Sequence, residues 1–193
     1  MKPKPKVIFF DIGQTLVTGA EQSPHKLLCS RLGLDPECSP AVGRLLMTHR
    51  AEEPDPLVEA LCGILPGTEP GRIAREIRQL WREQLESARE IDGAAALLGS
   101  LRELGIRLGV ISNIWHPFYQ GLAQRRPSLV ETLDYKILSY RKGLMKPSTE
   151  LYRVALEACG EPPQDCWMVG DTYELDVAPA MHLGMRTVWV LKR

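Results

Sequence analysis

The chain has 193 residues, of which 44% are hydrophobic and 25% are charged. This length and composition are typical of a globular protein with a substantial core, and they argue against intrinsic disorder. Basic and acidic residues number 24 each, so no net charge attracts the protein to nucleic acid or to an anionic membrane. We therefore expect neither as a partner, and any anion-binding site must be local.

The N-terminal segment does not predict an export signal. Residues Met1 to Lys6 are basic, but the apolar run behind them is shorter than the ~7 to 15 residues of a secretory signal and ends at Asp11. No run approaches the ~18 apolar residues of a membrane helix. The odd number of cysteines and the lack of a Cys-x-x-Cys pair favour a reducing compartment. We expect a cytoplasmic protein whose five thiols serve packing: Cys29, Cys38, Cys62, Cys159 and Cys166.

Short continuous apolar runs predict buried strands at residues 7–10, 106–111, 167–169 and 187–191, with a weaker one at 135–138. Continuous rather than alternating runs are typical of strands covered by helices on both faces. Helical patterns separate these runs. Asp92 is expected to cap one helix that Gly105 ends, and Ser148 to cap another that Gly160 ends. This alternation predicts an α/β fold with a parallel sheet.

Residues 14–91 interrupt the alternation, since they contain helical patterns and no strand-like run. The last of these helices carries Ile73, Ile77, Leu80 and Trp81 on one face. Its arginines, Arg72, Arg75 and Arg78, fall elsewhere, where they either reach an anionic substrate or form a solvated face. The pattern predicts a helical module at 14–91, inserted into a core made of residues 1–13 and 92–193.

Polar residues follow the predicted strands at the points where those strands end. Asp11 follows the first strand, Ser112 the second, and Asp171 a later one, while Lys146 lies in a loop before a helix. Ligands of open parallel sheets bind beyond the carboxyl ends of the strands. We therefore expect these side chains to meet in one pocket.

The chain resembles the haloacid dehalogenase superfamily in four segments: Asp11-Ile12-Gly13-Gln14-Thr15-Leu16, Val110-Ile111-Ser112-Asn113, Met145-Lys146-Pro147, and Val169-Gly170-Asp171-Thr172-Tyr173-Glu174-Leu175-Asp176. The resemblance implies a Rossmann-like parallel sheet core with an inserted α-helical cap of the C1 type. It also implies a Mg²⁺-dependent phosphatase that acts on a small phosphorylated metabolite.

The resemblance assigns the nucleophile and the metal ligands. Asp11 would attack phosphorus and also bind Mg²⁺, together with the main-chain carbonyl of Gly13 and the carboxylate of Asp171. Asp176 would complete the metal site by holding a bound water or Lys146, and it could also cap a helix that starts near residue 177. Thr15 would hydrogen-bond and orient the catalytic loop.

The remaining motif residues would bind the phosphate. By the same resemblance, Ser112, Asn113 and Lys146 form the substrate clamp, and the lysine also serves catalysis as a compact cation against developing negative charge. The aromatic residues that follow, Trp115, His116, Phe118 and Tyr119, either line the substrate pocket or fix a helix entrance to the core.

Gly13 departs from the family pattern, because the phosphatases usually carry an aspartate there that protonates the leaving group. Such acid-base help is worth ~10²- to 10⁴-fold in rate. Three readings follow. The protein is a phosphatase for substrates with good leaving groups or borrows an acid from the cap. Alternatively, it is another hydrolase, either a dehalogenase or a phosphonate hydrolase, and the latter needs a cap lysine, for which the cap offers only Lys26. The third possibility is that it binds metal and phosphate with little turnover.

Overall fold

The computed structural model describes residues 4–191; residues 1–3 of the basic N-terminal segment and residues 192–193 lie outside it. The described part forms a central five-stranded sheet, in the order β5-β4-β1-β6-β7, and a separate two-stranded sheet. The strands are β1 Val7–Phe10, β2 Val17–Thr18, β3 Arg89–Glu90, β4 Arg107–Ser112, β5 Tyr135–Leu138, β6 Cys166–Gly170 and β7 Arg186–Trp189. Every neighbouring pair in the central sheet is parallel, which confirms the predicted α/β fold.

The helices lie on both faces of this sheet. They are α1 Pro24–Leu32, α2 Ser39–Thr48, α3 Pro54–Ile64, α4 Pro70–Ser87, α5 Ala94–Glu103, α6 His116–Arg125, α7 Pro127–Glu131, α8 Ser139–Lys142, α9 Thr149–Cys159 and α10 Ala178–His182. Short 3₁₀ helices span Pro36–Cys38 and Pro163–Asp165, and one π-helical turn spans Tyr173–Val177.

Strand β1 shows why the apolar runs are continuous. Ile8 and Phe10 pack in one hydrophobic cluster with α5, whereas Val7 and Phe9 pack in another with α9. The prediction fails at β7, which is an edge strand with Val188 and Trp189 largely exposed. An edge strand has one neighbour only, so a run of β-branched residues there does not imply burial.

Of the helix caps predicted at Asp92 and Ser148, the second is confirmed. The Ser148 hydroxyl accepts a hydrogen bond from the Glu150 N–H, and α9 ends at Gly160 in the left-handed conformation. The other prediction is wrong, because α5 begins after Gly93 (φ 85°) and not at Asp92. The Glu90 side chain accepts from the Ala95 N–H instead, so an acceptor from β3 satisfies this helix start.

Helices α1 to α4 form the inserted helical region and share a hydrophobic cluster of their own, with Leu28, Val42, Ile77 and Leu80 fully buried. Trp115, from the loop before α6, completes this cluster. The expectation that residues 14–91 contain no strand is wrong. Strands β2 and β3 pair antiparallel on either side of the helices, and two-residue strands leave no run in the sequence. The boundaries 14 and 91 stay a prediction.

All five cysteines are free thiols, and each packs in a hydrophobic cluster, as expected. No helix within residues 4–191 is both long enough and apolar enough to cross a membrane.

Candidate active site

The predicted site residues meet at the carboxyl edge of the central sheet. Asp11 directly follows β1, and its N–H bonds to the Val169 carbonyl of β6 at 2.8 Å. Ser112 is the last residue of β4, and Asp171 directly follows β6. Lys146 reaches the same place from the loop between α8 and α9. Three strand ends and one loop thus bring together four side chains that are far apart in the chain.

Lys146 lies at the centre of the group and is almost fully buried. Its Nζ donates hydrogen bonds to Asp11 Oδ1 at 2.6 Å and to Asp176 Oδ1 at 2.5 Å. The expected contact between Asp176 and Lys146 is therefore present. One ammonium bridges two buried carboxylates, and it leaves Oδ2 of Asp11 without a lysine contact.

The charges of this cluster depend on one another. Burial raises the pKa of Asp11, the Lys146 ammonium lowers it, and the Asp176 carboxylate raises it again, so that it lies above the ordinary aspartate value. Burial lowers the pKa of Lys146, but the two carboxylates raise it above the ordinary lysine value. Lys146 therefore stays protonated, and its hydrogen bond to Asp11 stabilises the charged form of this buried nucleophile candidate.

Asn113 holds the main chain of Lys146. Its Nδ2 donates to the Lys146 carbonyl at 3.0 Å, and its Oδ1 accepts from the Lys146 N–H at 2.7 Å. Both ends of the amide are engaged in this way. The structure thus shows a positioning contact for Asn113, and the predicted contact with substrate stays a prediction.

Asp176 is held by the π-helical turn rather than by a helix start. Its Oδ2 accepts from the Thr172 N–H at 3.0 Å, and α10 begins at Ala178 without a side-chain cap. The predicted capping role is wrong, because the carboxylate turns back toward Lys146. Gly170 makes this possible, since a Cβ there would overlap the Asp176 carboxyl group.

Thr15 does not make the hydrogen bond that the resemblance implies. Its hydroxyl is buried and has no partner within residues 4–191. The loop around it is instead held by main-chain bonds, from Gln14 N–H to the Val17 carbonyl and from Leu16 N–H to the Ile12 carbonyl. A catalytic role for Thr15 stays a prediction.

Asp11, Asp171 and Asp176 each place a carboxylate oxygen within 4.8 Å of the others. Carboxylate oxygens are the ligands that Mg²⁺ prefers, and a site of this kind needs only one or two of them. Three carboxylates outnumber the single ammonium of Lys146, so a divalent cation would neutralise the remaining charge. Asp171 is partly exposed, which leaves the group open on one side. The residues therefore fit a hydrated Mg²⁺ ion.

A cavity of about 170 Å³ opens beside this cluster, between the sheet edge and α4. Gly13 and Ser112 line it from the sheet, and Gln84 lines it from α4. Trp115 and Phe118 serve both purposes that the sequence left open, because they line the cavity and also pack in hydrophobic clusters. Sequence reasoning missed Gln84, which looks like an ordinary polar residue of an amphipathic helix.

Other candidates lie away from the cavity. His116 stacks on Trp81, and Tyr119 is buried against Tyr140, so both serve packing. Arg78 pairs with Asp55 on the surface, and neither Arg72 nor Arg75 lines the cavity. The solvated reading of these arginines fits the structure.

The sequence model of the haloacid dehalogenase-like hydrolase family matches residues 5–184 of this chain. The chain belongs to this family. Among solved structures, a haloacid dehalogenase family enzyme from Bacteroides thetaiotaomicron, determined as a magnesium complex, has a TM-score of 0.72. It is 18% identical, and the match covers 98% of this chain and 94% of that one, so this likeness concerns the fold.

Two relatives of known name share more sequence over a shorter stretch. Glyceraldehyde 3-phosphate phosphatase of Pyrococcus abyssi is 37% identical over 52% of this chain and 42% of its own length. Phosphoserine phosphatase of Thermus thermophilus is 32% identical over 61% of this chain and 47% of its own length. The chain therefore spans less than half the length of either relative.

Gly13, the position at which the sequence departs from the resemblance, lies next to the nucleophile candidate. A Cβ at this position would lie 3.8 Å from Asp11 Oδ2 and meet nothing closer. Gly13 does not have a positive φ; the left-handed residue of the loop is Gln14, at φ 59°. Position 13 thus has room and a suitable backbone for a side chain beside the nucleophile candidate.

Proposed function

We propose that the protein is a Mg²⁺-dependent phosphatase that hydrolyses small phosphate monoesters through an aspartyl-phosphate on Asp11. The observation that carries the proposal is the buried cluster in which Lys146 bridges Asp11 and Asp176 while Asp171 lies within 4.8 Å of both carboxylates. A candidate nucleophile, a cation and candidate metal ligands therefore lie together at one edge of the sheet, which supports the proposal.

The chain's own residues would act as follows. Oδ2 of Asp11 forms a bond to phosphorus, the bond from phosphorus to the ester oxygen breaks, and water then hydrolyses the aspartyl-phosphate. Lys146 offsets the negative charge that develops on the phosphoryl oxygens, and Ser112 donates to the phosphate. A Mg²⁺ ion held by Asp11, Asp171, Asp176 and the Gly13 carbonyl would supply further charge neutralisation and orient the phosphate.

The named relatives support this proposal. The proteins from Pyrococcus abyssi and Thermus thermophilus are both named as phosphatases of small phosphorylated compounds. The Bacteroides enzyme was solved with magnesium. The chain has the same family fold and a carboxylate cluster that fits this ion.

Gly13 favours a second candidate, a binding protein that retains metal and phosphate affinity with little turnover. Without an acid at this position, the leaving oxygen of an alkyl ester departs unprotonated unless another group supplies the proton. The other hydrolase readings fit less well. A dehalogenase would have no use for the metal cluster, and Lys26, the lysine a phosphonate hydrolase would need, lies in a separate cavity beside α1.

The test is a hydrolysis screen across small phosphorylated metabolites and aryl phosphates, with Mg²⁺ or with EDTA. We expect phosphate release with Mg²⁺ only, and Asp11→Asn should abolish it because the amide has no anionic nucleophile. Asp92→Asn, an exposed aspartate outside the cluster, is the control and should keep full activity. Undiminished turnover by Asp11→Asn would exclude the aspartyl-phosphate. Release of halide from 2-haloacids in EDTA would favour the dehalogenase.

A further inference from the structure

Gln84 is a buried polar residue outside the catalytic cluster. It lies in the last turns of α4, and the residue is 4% exposed. Its Oε1 accepts a hydrogen bond from Trp115 Nε1 at 3.1 Å. Because an indole nitrogen can only donate, this contact determines which end of the amide is oxygen. The orientation of the Gln84 amide is therefore fixed.

The nitrogen of the same amide, Nε2, carries two N–H groups that can donate hydrogen bonds. Among the described residues none accepts a hydrogen bond from Gln84 Nε2, and Nε2 is not one of the fully buried side-chain atoms that lack a partner, so this donor is accessible rather than enclosed in the core. The residue borders the cavity that also touches Gly13 and Ser112. A donor fixed in orientation thus stands at the wall of the space beside Asp11.

The cavity wall carries no charged side chain among the described residues that form it. Trp115 and Phe118 add apolar surface, and the remaining polar groups are neutral amides and hydroxyls. His25 and Arg44 line a neighbouring cavity at α1 and α2, and His25 Nε2 lies 3.3 Å from the hydroxyl of Ser23, a residue of this wall. A carboxylate or ammonium on the organic part of a ligand would therefore lose its hydration without gaining a partner.

We propose that Gln84 selects phosphate monoesters whose organic part is uncharged and carries an acceptor oxygen, either a hydroxyl or a carbonyl. This rests on the proposed function, because it assumes that the phosphate sits at Asp11 and Lys146. Gln84 Nε2 donates to that oxygen, while Trp115 keeps the amide in place and covers the carbon chain.

The first test compares matched primary alkyl phosphates: glycerol 3-phosphate, n-propyl phosphate, 3-phosphoglycerate and O-phosphoethanolamine. All four leaving groups are primary alcohols, but their basicities differ, so the comparison between the natural protein and the Gln84 variants, rather than the rates alone, isolates the effect of Gln84. We expect kcat/KM for glycerol 3-phosphate to exceed the others by about 10- to 100-fold, as for loss of one buried hydrogen bond or exposure of a charge to an uncharged wall. Equal rates for the neutral and the charged esters would overturn the proposal.

Variants locate the selectivity. Gln84→Leu should bring glycerol 3-phosphate and n-propyl phosphate within about threefold of each other, mainly through KM, since the donor is removed. Gln84→Glu keeps the shape and the acceptor for Trp115, and it should raise the relative rate with O-phosphoethanolamine. Gln79→Leu and Gln79→Glu, exposed positions on the same helix, are the controls and should leave all ratios unchanged. Selectivity retained in Gln84→Leu would contradict the assignment.

Binding separates this inference from the proposed function. In Asp11→Asn protein with Mg²⁺, titration calorimetry measures affinity for the same four compounds without turnover. If the natural protein hydrolyses none of them but Asp11→Asn binds glycerol 3-phosphate selectively through Gln84, the phosphatase proposal fails and the inference stands. If hydrolysis occurs but neither rate nor affinity depends on Gln84, the inference fails and the phosphatase proposal stands.

Discussion

Gly13 lies beside the nucleophile candidate with room for a larger side chain, so its chemical consequence can be tested directly. Without a carboxylic acid there, the rate should depend steeply on the basicity of the leaving group, and aryl phosphates should react much faster than alkyl phosphates. Gly13→Asp should raise kcat/KM for alkyl esters selectively, by up to ~10²- to 10⁴-fold. The measurement is kcat/KM for a series of monoesters in both proteins.

Gly13→Ala is the matched control, because it adds a Cβ without an acid and should leave the leaving-group dependence unchanged. The backbone does not obstruct either change, since position 13 has no positive φ. A flat dependence in the natural protein would mean that another residue already supplies the proton.

Lys146 is the residue on which the electrostatics of the cluster depend. Lys146→Met keeps most of the length of the side chain but leaves the buried carboxylates of Asp11 and Asp176 without their cation. Breaking a buried ion pair in this way costs ~3–5 kcal/mol, so we expect a loss of that order in the free energy of unfolding, together with loss of activity. Urea denaturation in EDTA measures it.

The exposed Lys142→Met, at the end of α8, is the comparison and should be within ~0.5 kcal/mol of the natural protein. If both variants were equally stable, the hydrogen bonds of Lys146 would not contribute to folding as the structure indicates.

Most residues of the candidate site could be found from the sequence, because Asp11, Ser112 and Asp171 follow apolar runs that end at the same edge of a parallel sheet. The positioning residues could not. Asn113 holds Lys146 from 33 positions away, and Gln84 meets Trp115 across 31 positions. Such contacts depend on how loops and helices dock, and no local periodicity encodes that.

At the scale of elements, the close contact between α4 and α6 holds the helical insert against the sheet. Gly121 allows it, because a Cβ there would overlap the main-chain oxygen of Leu85. Gly121→Ala should force the two helices apart and cost ~1–3 kcal/mol of stability. Because Leu85 neighbours Gln84, the same change should weaken the selectivity for glycerol 3-phosphate. Unfolding free energy and kcat/KM ratios measure the two effects.

Gly99→Ala in α5 provides the contrast. Its Cβ would meet nothing within 4 Å, so the substitution should stabilise the protein by ~0.5–1 kcal/mol through helix propensity alone. If Gly121→Ala were also stabilising, α4 and α6 could move apart without cost. Their close contact would then not be what holds the insert against the sheet.

The elements that the sequence did not predict share one property: they depend on residues that are distant in the chain. Strands β2 and β3 are two residues long, and their pairing depends on the insert returning to its starting point. The start of α5 uses a left-handed glycine and a carboxylate from β3, so the obvious cap candidate, Asp92, is not needed. Long continuous runs such as β1 are predictable because their own residues meet both faces of the sheet. Short elements form only because distant segments of the chain pair with them, so their own residues do not predict them.

At the scale of the whole molecule, the central sheet supplies the catalytic cluster and the helical insert supplies the wall that faces it. The cavity is bounded by Gly13 and Ser112 on one side and by Gln84 on the other. If the proposed function holds, phosphate chemistry and substrate choice depend on different parts of the chain. Variation in the insert can alter specificity without disturbing the carboxylates, provided that α4 keeps its contact with α6.

The carboxylate cluster links metal binding to the stability of the whole fold. A cation that binds only the native state stabilises it by ~2.7 kcal/mol at a concentration 100-fold above its Kd. For a protein of this size that corresponds to a rise in Tm of about 5–10 °C. We expect Mg²⁺ to produce such a rise, measured by thermal unfolding, because unfolding separates Asp11 from Asp171 and Asp176.

Asp171→Asn should remove most of this rise and the Mg²⁺-dependent activity together, since it takes one ligand from the cluster and leaves the Lys146 contacts in place. Asp92→Asn should keep both. If Asp171→Asn retained the full rise in Tm, the ion would bind elsewhere. The role of the aspartates would then be limited to charge pairing with Lys146. That outcome would indicate that the charged cluster only stabilises the fold and that Mg²⁺ does not bind at the carboxyl edge of the sheet.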